Sequence, residues 1–175
     1  TTPAELNGVN VVKAGEHVVC SNLTYGGTYR YYTKIQARYG VEFTFVDTAD
    51  SEAVRAAMRP NTKLLHLETP TNPMMTLCDI PLLSKIAHER GVLVVVDNTF
   101  ASPYLQRPLD LGADLSLYST TKYIEGHNGA LGGAIVSRDL ALLKKLRFLR
   151  KCLGTIQSPF SAWLTLRGLK TLPLR

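Results

Sequence analysis

Apolar residues along the chain come in two rhythms that take turns. His17-Val-Val-Cys-Ser21 is a short apolar run entered from a turn at Ala14-Gly-Glu16, and it predicts a strand. Tyr25-Gly-Gly-Thr28 follows, and a helical run from about Tyr29 to Tyr39 is closed by Gly40. Val41-Glu-Phe-Thr-Phe-Val46 alternates and predicts a second strand. Ser51 is placed to cap a helix through Met58, which Pro60 stops. Lys63-Leu-Leu-His-Leu-Glu68 is the next strand. Thr69-Pro-Thr-Asn-Pro73 cannot be helical, because its two prolines lack donors and restrict the residues before them. Asp79 caps a helix from about Ile80 to Arg90, with Pro81 in its first turn and Gly91 past its end. Val92-Leu-Val-Val-Val-Asp97 is an apolar strand that ends abruptly in a carboxylate. An irregular stretch from Asn98 to Gly112 leads to a strand ending near Ser119, and Gly132 to Ser137 is another strand. Two helices follow, from Asp139 to Leu153 and from Pro159 to Leu169; residues 1–13 read as the tail of a helix.

Strands alternating with helices, several of them continuously apolar, predict an α/β fold: a mainly parallel sheet with helices on both faces. The 175 residues suffice for one domain with its own core, and no run approaches the length of a membrane helix. Cys20, Cys78 and Cys152 are far apart and lack metal-ligand spacing, which predicts reduced thiols in a cytosolic protein. The net charge of +6 is scattered, densest from Arg138 to Lys151. With Leu140, Leu143, Leu146 and Leu149 spaced along it, that segment reads as the solvated face of an amphipathic helix rather than a nucleic-acid surface.

Several chemistries lose weight. Glycine-rich nucleotide loops, a Gly-x-Ser-x-Gly elbow and zinc-type Cys/His spacing are all missing from the sequence. What remains is Lys122 in Ser119-Thr-Thr-Lys122, beyond one apolar strand, and Asp97 closing another. Both would lie at one edge of a parallel sheet, where open α/β sheets bind ligands. A lysine, an acid, small hydroxyls (Ser119, Thr121) and an aromatic (Tyr25) are the residue types that a pyridoxal 5′-phosphate (PLP) site needs. The lysine forms the Schiff base, the acid keeps the ring nitrogen protonated and the hydroxyls hold the phosphate. Taken singly, each has an ordinary structural explanation: a turn cap, loop hydroxyls, a core aromatic, or, for Asn72 between two prolines, an Asx turn.

The ordered set Tyr25-Gly-Gly-Thr28, Glu68-Thr-Pro-Thr-Asn-Pro73, Val96-Asp-Asn-Thr-Phe100, Leu109 to Asp114 and Ser119-Thr-Thr-Lys-Tyr-Ile-Glu-Gly-His127 resembles the Cys/Met-metabolism PLP enzymes. Cystathionine γ-lyase, cystathionine γ-synthase and methionine γ-lyase belong to that family. The resemblance implies the large domain of a fold-type I (aspartate aminotransferase-like) enzyme, with residues 1–175 its central part and the N-terminal arm and C-terminal small domain absent. It implies Lys122 as Schiff-base lysine and proton carrier, Asp97 on the ring nitrogen, and Tyr25 against the ring and active in proton transfer. Ser119 and Thr121 would hold the phosphate, Asn72 would lie near the ring 3′-oxygen, and Glu68 would support the site from behind. The implied activity is γ-elimination or γ-replacement on cystathionine or an O-acylhomoserine, in a cytoplasmic homotetramer built from dimers.

The sequence departs from the family pattern in one loop. The common His-Ser-Asp or His-Asn-Asp is here His127-Asn-Gly129. Two competing readings remain at this level: a PLP aminotransferase of the same fold, and a non-catalytic basic binding module.

Overall fold

A computed structural model describes residues 11–175. Six strands form one sheet in the order β2-β1-β3-β4-β5-β6. They are β1 (His17–Ser21), β2 (Glu42–Val46), β3 (Thr62–Glu68), β4 (Leu93–Asp97), β5 (Leu115–Ser119) and β6 (Gly133–Val136). The first five run parallel, and β6 pairs antiparallel with β5. The sheet is therefore mainly parallel, as the apolar runs predict.

Helices cover both faces. On one side lie α1 (Gly26–Lys34) and α5 (Leu140–Leu153), with Tyr32 and Leu146 packed among Val18, Leu64, Val95, Leu115 and Leu117. On the other lie α2 (Ser51–Ala57) and α3 (Ile80–His88), where Val54, Leu83 and Ile86 meet Val19, Leu65, Leu67, Val94 and Val96. Alternate residues of β1 and of β4 thus feed two cores, which is why those strands read as nearly unbroken apolar runs. A short α4 (Ser102–Leu105) interrupts the stretch expected to be irregular, and α6 (Pro159–Leu169) is followed by a 3-10 turn at Leu172–Leu174. Residues 1–10 of the segment expected as a helix tail lie outside the described residues; residues 11–13 form a turn. No helix among the described residues is long and apolar enough to cross a membrane.

Local chemistry sets the helix ends. Asp79 and Asp139 cap α3 and α5, accepting from Leu82 N and from Ala141 N and Leu142 N. The cap of α2 is Asp50 rather than Ser51: its carboxylate accepts from Glu52 N and Ala53 N, and a charged acceptor serves the helix N-terminus better than a hydroxyl. Helix α1 begins at Gly26, earlier than the apolar spacing suggests, and gives way at Ile35 to a 3-10 turn that ends at Gly40, φ 80°. Along α5, Leu146 is buried while Leu140 stands 80% exposed, so the inward stripe does not begin at Leu140.

Candidate active site

Strands β1, β3, β4 and β5 send their C-terminal ends to the same edge. From β1 the chain steps outward to β2, and from β3 it steps the opposite way to β4 and β5. The reversal between β1 and β3 is a topological switch point, the place where open α/β sheets bind ligands.

Two carboxylates stand side by side there, Glu68 at the end of β3 and Asp97 at the end of β4, in register as partners. Both are buried, at 6% and 5% exposure. Asp97 Oδ1 accepts from Thr99 N (3.0 Å) and Thr99 Oγ1 (2.5 Å). Its Oδ2 has no donor among the described residues. Burial pushes the Asp97 carboxyl up, against the pull of the Thr99 donors. The Glu68 carboxyl is pushed up to about 7, first by burial and then by the neighbouring Asp97. Glu68 ties the edge together: Oε2 accepts from Tyr25 N at 2.6 Å and from the Thr24 hydroxyl at 3.4 Å, and Oε1 accepts from Asn72 N at 3.1 Å. Asn72 sits between two prolines whose preceding bonds are both cis. The Tyr25 side chain is 39% exposed, and its residue is the one before α1.

Strand β5 runs beside β4 and ends at Ser119. Ser119 N donates to Thr99 Oγ1 at 2.8 Å, so one threonine joins the acid of β4 to the exit of β5. Beyond it the chain folds into a tight loop: Lys122 N donates to Ser119 O, Glu125 N to Thr120 O and Gly126 N to Lys122 O. Lys122 is exposed, and its Nζ and the Ser119 hydroxyl have no partner among the described residues. The Thr121 hydroxyl is engaged: it donates to Gly132 O at 3.3 Å and accepts from Gly132 N at 3.0 Å. That pair pins the loop to the start of β6.

A third acid holds the loop from within. Glu125 is closed off from solvent, and Oε2 accepts from His127 N (3.0 Å) and Gly129 N (2.9 Å). The cover is thin, since His127, Asn128 and Gly129 around it are exposed. The Gly129 N–H, helped by that of His127 and by nearby positive charge, holds the Glu125 carboxyl below its usual range. A Cβ at position 129 would sit 3.2 Å from Glu125 Oε1, so the departure at Gly129 leaves room for this carboxylate. Helix α6 packs on the same loop. A Cβ at Gly168 would collide with the carbonyl oxygens of Glu125 and Ile124, and Arg175 Nη2 donates to the carbonyls of Tyr123 and Ile124.

Sequence reasoning thus names residues that the fold gathers at one edge: Tyr25 after β1, Glu68 and Asn72 after β3, Asp97 on β4, Ser119, Thr121 and Lys122 at the exit of β5. It misses Thr99 and Glu125. A threonine two residues after a strand-ending aspartate is a local signal for the first. Nothing in the sequence separates Glu125 from a solvated loop acid.

The donor set fits PLP. An acid with one oxygen uncommitted, a lysine without a partner and an unengaged serine hydroxyl stand on adjoining strand ends, as a phosphorylated pyridine aldehyde requires. Sheet and helices are those of fold-type I PLP enzymes. The family model described as Cys/Met metabolism PLP-dependent enzyme matches residues 4–175, and the chain belongs to that family.

Two curated relatives are a probable cystathionine gamma-synthase of Herpetosiphon aurantiacus, 52% identical over 94% of this chain and 52% of its own length, and the cystathionine gamma-lyase of Bacillus subtilis strain 168, 49% identical over 93% and 43%. Among solved structures, metB from Corynebacterium glutamicum superposes with a TM-score of 0.96 at 47% identity, covering 98% of this chain and 45% of that one. The cystathionine gamma-lyase of Lactobacillus plantarum complexed with L-serine gives 0.97 at 43%, covering 100% and 46%. The chain spans about half the length of the curated relatives it matches.

Proposed function

We propose that the protein carrying this chain is a PLP-dependent enzyme of sulfur amino-acid metabolism that performs γ-elimination or γ-replacement on cystathionine or an O-acylhomoserine. The observation that carries the reading is the pairing of an acid with an uncommitted oxygen, Asp97 on β4, with the lysine loop leaving the adjacent β5. Family membership and the names of the relatives support it.

When bound, PLP supplies an electron sink that accepts charge from the substrate Cα. This chain's residues do the rest. Lys122 Nζ would hold the aldehyde end of the cofactor and, as an amine, would move a proton from Cα toward the leaving side. Asp97 Oδ2 holds the proton of the ring nitrogen, while Thr99 keeps the other oxygen in place. Tyr25 offers its aromatic face and a second proton-transfer group, and Asn72 serves the ring 3′-oxygen. Ser119 and Thr121 hold the phosphate; Thr121 does so with its backbone N–H or by turning its hydroxyl from Gly132 O.

The chain is the central part of a cofactor-binding large domain, and the protein is a cytoplasmic homotetramer built from dimers. Its match to only about half the length of its relatives supports the first statement. Exposed Phe148, Phe160, Trp163 and Leu166 on α5 and α6 support further contacts.

The test is spectroscopic and then chemical. The protein with PLP should show a visible absorbance band that borohydride removes, and Lys122→Ala should abolish it. A colourless wild-type protein overturns the reading. Thiol release from cystathionine, or cystathionine formed from O-acylhomoserine and cysteine, separates it from an aminotransferase, which exchanges keto acids without releasing thiol.

A further inference from the structure

Glu68 has an arrangement that stability alone does not account for. It is a buried carboxylate with no cation paired to it among the described residues, and it stands beside a second carboxylate. Such a placement is costly, and a neutral side chain of similar shape is commonly better tolerated. In return the carboxylate takes backbone N–H groups from two segments 47 residues apart in sequence (72 − 25), at Tyr25 and at Asn72. Those segments carry two of the residues proposed above to meet the ring. Tyr25 does not cap α1 with its own side chain, and its N–H at the entry of that helix is held by Glu68.

We propose that Glu68 is a positioning residue: its ionised carboxylate sets the placement of Tyr25 and Asn72 relative to one another and to Asp97, and the arrangement loosens when Glu68 takes up a proton. The inference rests on the PLP reading for its functional meaning and on the hydrogen bonds alone for its mechanism. A bond from N–H to an ionised oxygen is shorter and stronger than one to a neutral carboxyl, which suits the 2.6 Å contact from Tyr25. The ionisable groups coupled electrostatically to Glu68 are Asp97 from β4 and the Cys20 thiol from β1, the segment it holds carries the Tyr25 phenol, and none of these supplies positive charge. The shift of Glu68 to about 7, caused first by burial and then by Asp97, puts the change within the working range of a metabolic enzyme.

The test begins on the PLP-free protein, labelled with nitrogen-15. The amide proton signals of Tyr25 and Asn72 should move together with one midpoint as pH is raised through neutrality. In Glu68→Gln both should be flat, and in Asp97→Asn the midpoint should fall. Amides that do not titrate, or that titrate unchanged in Glu68→Gln, overturn the proposal. The second measurement is PLP affinity by absorbance at about pH 8, where Glu68→Gln should lose about tenfold without loss of thermal stability. Glu68→Asp, which keeps the charge, should recover part of that loss. Unchanged affinity in Glu68→Gln overturns the proposal, as does a fall in affinity that merely tracks a fall in stability. A wild-type protein that binds no PLP sinks the functional reading, and the amide titration still decides the role of Glu68.

Discussion

Glu68 and Glu125 have similar surroundings at first sight and behave in opposite ways. Each is closed off from solvent, and each accepts two backbone N–H groups through its carboxylate. Burial and a neighbouring carboxylate drive the first carboxyl up to about 7, while the N–H of Gly129 holds the second below its usual range. Glu68 lies deep at the sheet edge against Asp97, and Glu125 lies under a thin loop with positive charge nearby. Donor number therefore does not decide the charge of a buried acid; depth and the sign of its neighbours do. The deep acid serves placement at a cost to stability. The shallow acid stabilises the loop that carries Lys122.

The strongest way to break this contrast is at the contact between α6 and the Glu125 loop. Gly168→Val drives a side chain into the carbonyls of Glu125 and Ile124 and should cost about 3 kcal/mol or more of stability. Thermal unfolding measures it, and an unchanged Tm would mean that α6 does not seat on the lysine loop. Next comes the paired substitution of the two acids. Glu125→Gln should lower Tm by several degrees, because the two N–H groups that meet on Oε2 exchange a charged acceptor for a weaker neutral one. Glu68→Gln should leave Tm unchanged or raise it at about pH 8, where it removes an ionised carboxylate from beside Asp97. Equal losses in the two variants would erase the distinction.

A smaller effect is the pH dependence of the PLP-free protein. Glu68 binds its proton more tightly folded than unfolded, so its contribution to stability is full below the ordinary value of 4.5 and is lost as pH rises through about 7. Wild type should lose stability across that window, and Glu68→Gln should lose less of it. A wild-type profile that rises there contradicts the assignment. The smallest effect serves as a control: Asp139→Ala removes the cap of α5, remote from both acids, and should cost about 1 kcal/mol without altering the other three measurements.

Much of this edge is legible in the chain itself. Val92 to Asp97 announces a buried strand and its terminal acid, because six residues of apolar and acidic chemistry need no distant partner to be read. The start of α1 is not legible: Gly26-Gly27 looks like a turn, and the anchor for Tyr25 N is Glu68, 43 residues away. The antiparallel run of β6 is hidden for a similar reason, since periodicity gives a strand its faces but not its direction. Glu125 looks solvated until the loop closes over it and α6 arrives with Gly168, 43 residues further on (168 − 125). The cap of α2 is a nearer miss, a choice between adjacent Asp50 and Ser51 that the carboxylate wins.

The hydroxyl of Thr99 reaches in two directions, giving its hydrogen to the acid of β4 and taking one from the amide that ends β5. It works as a ruler: the gap between the terminal acid of one strand and the last amide of the next is gauged by one oxygen atom.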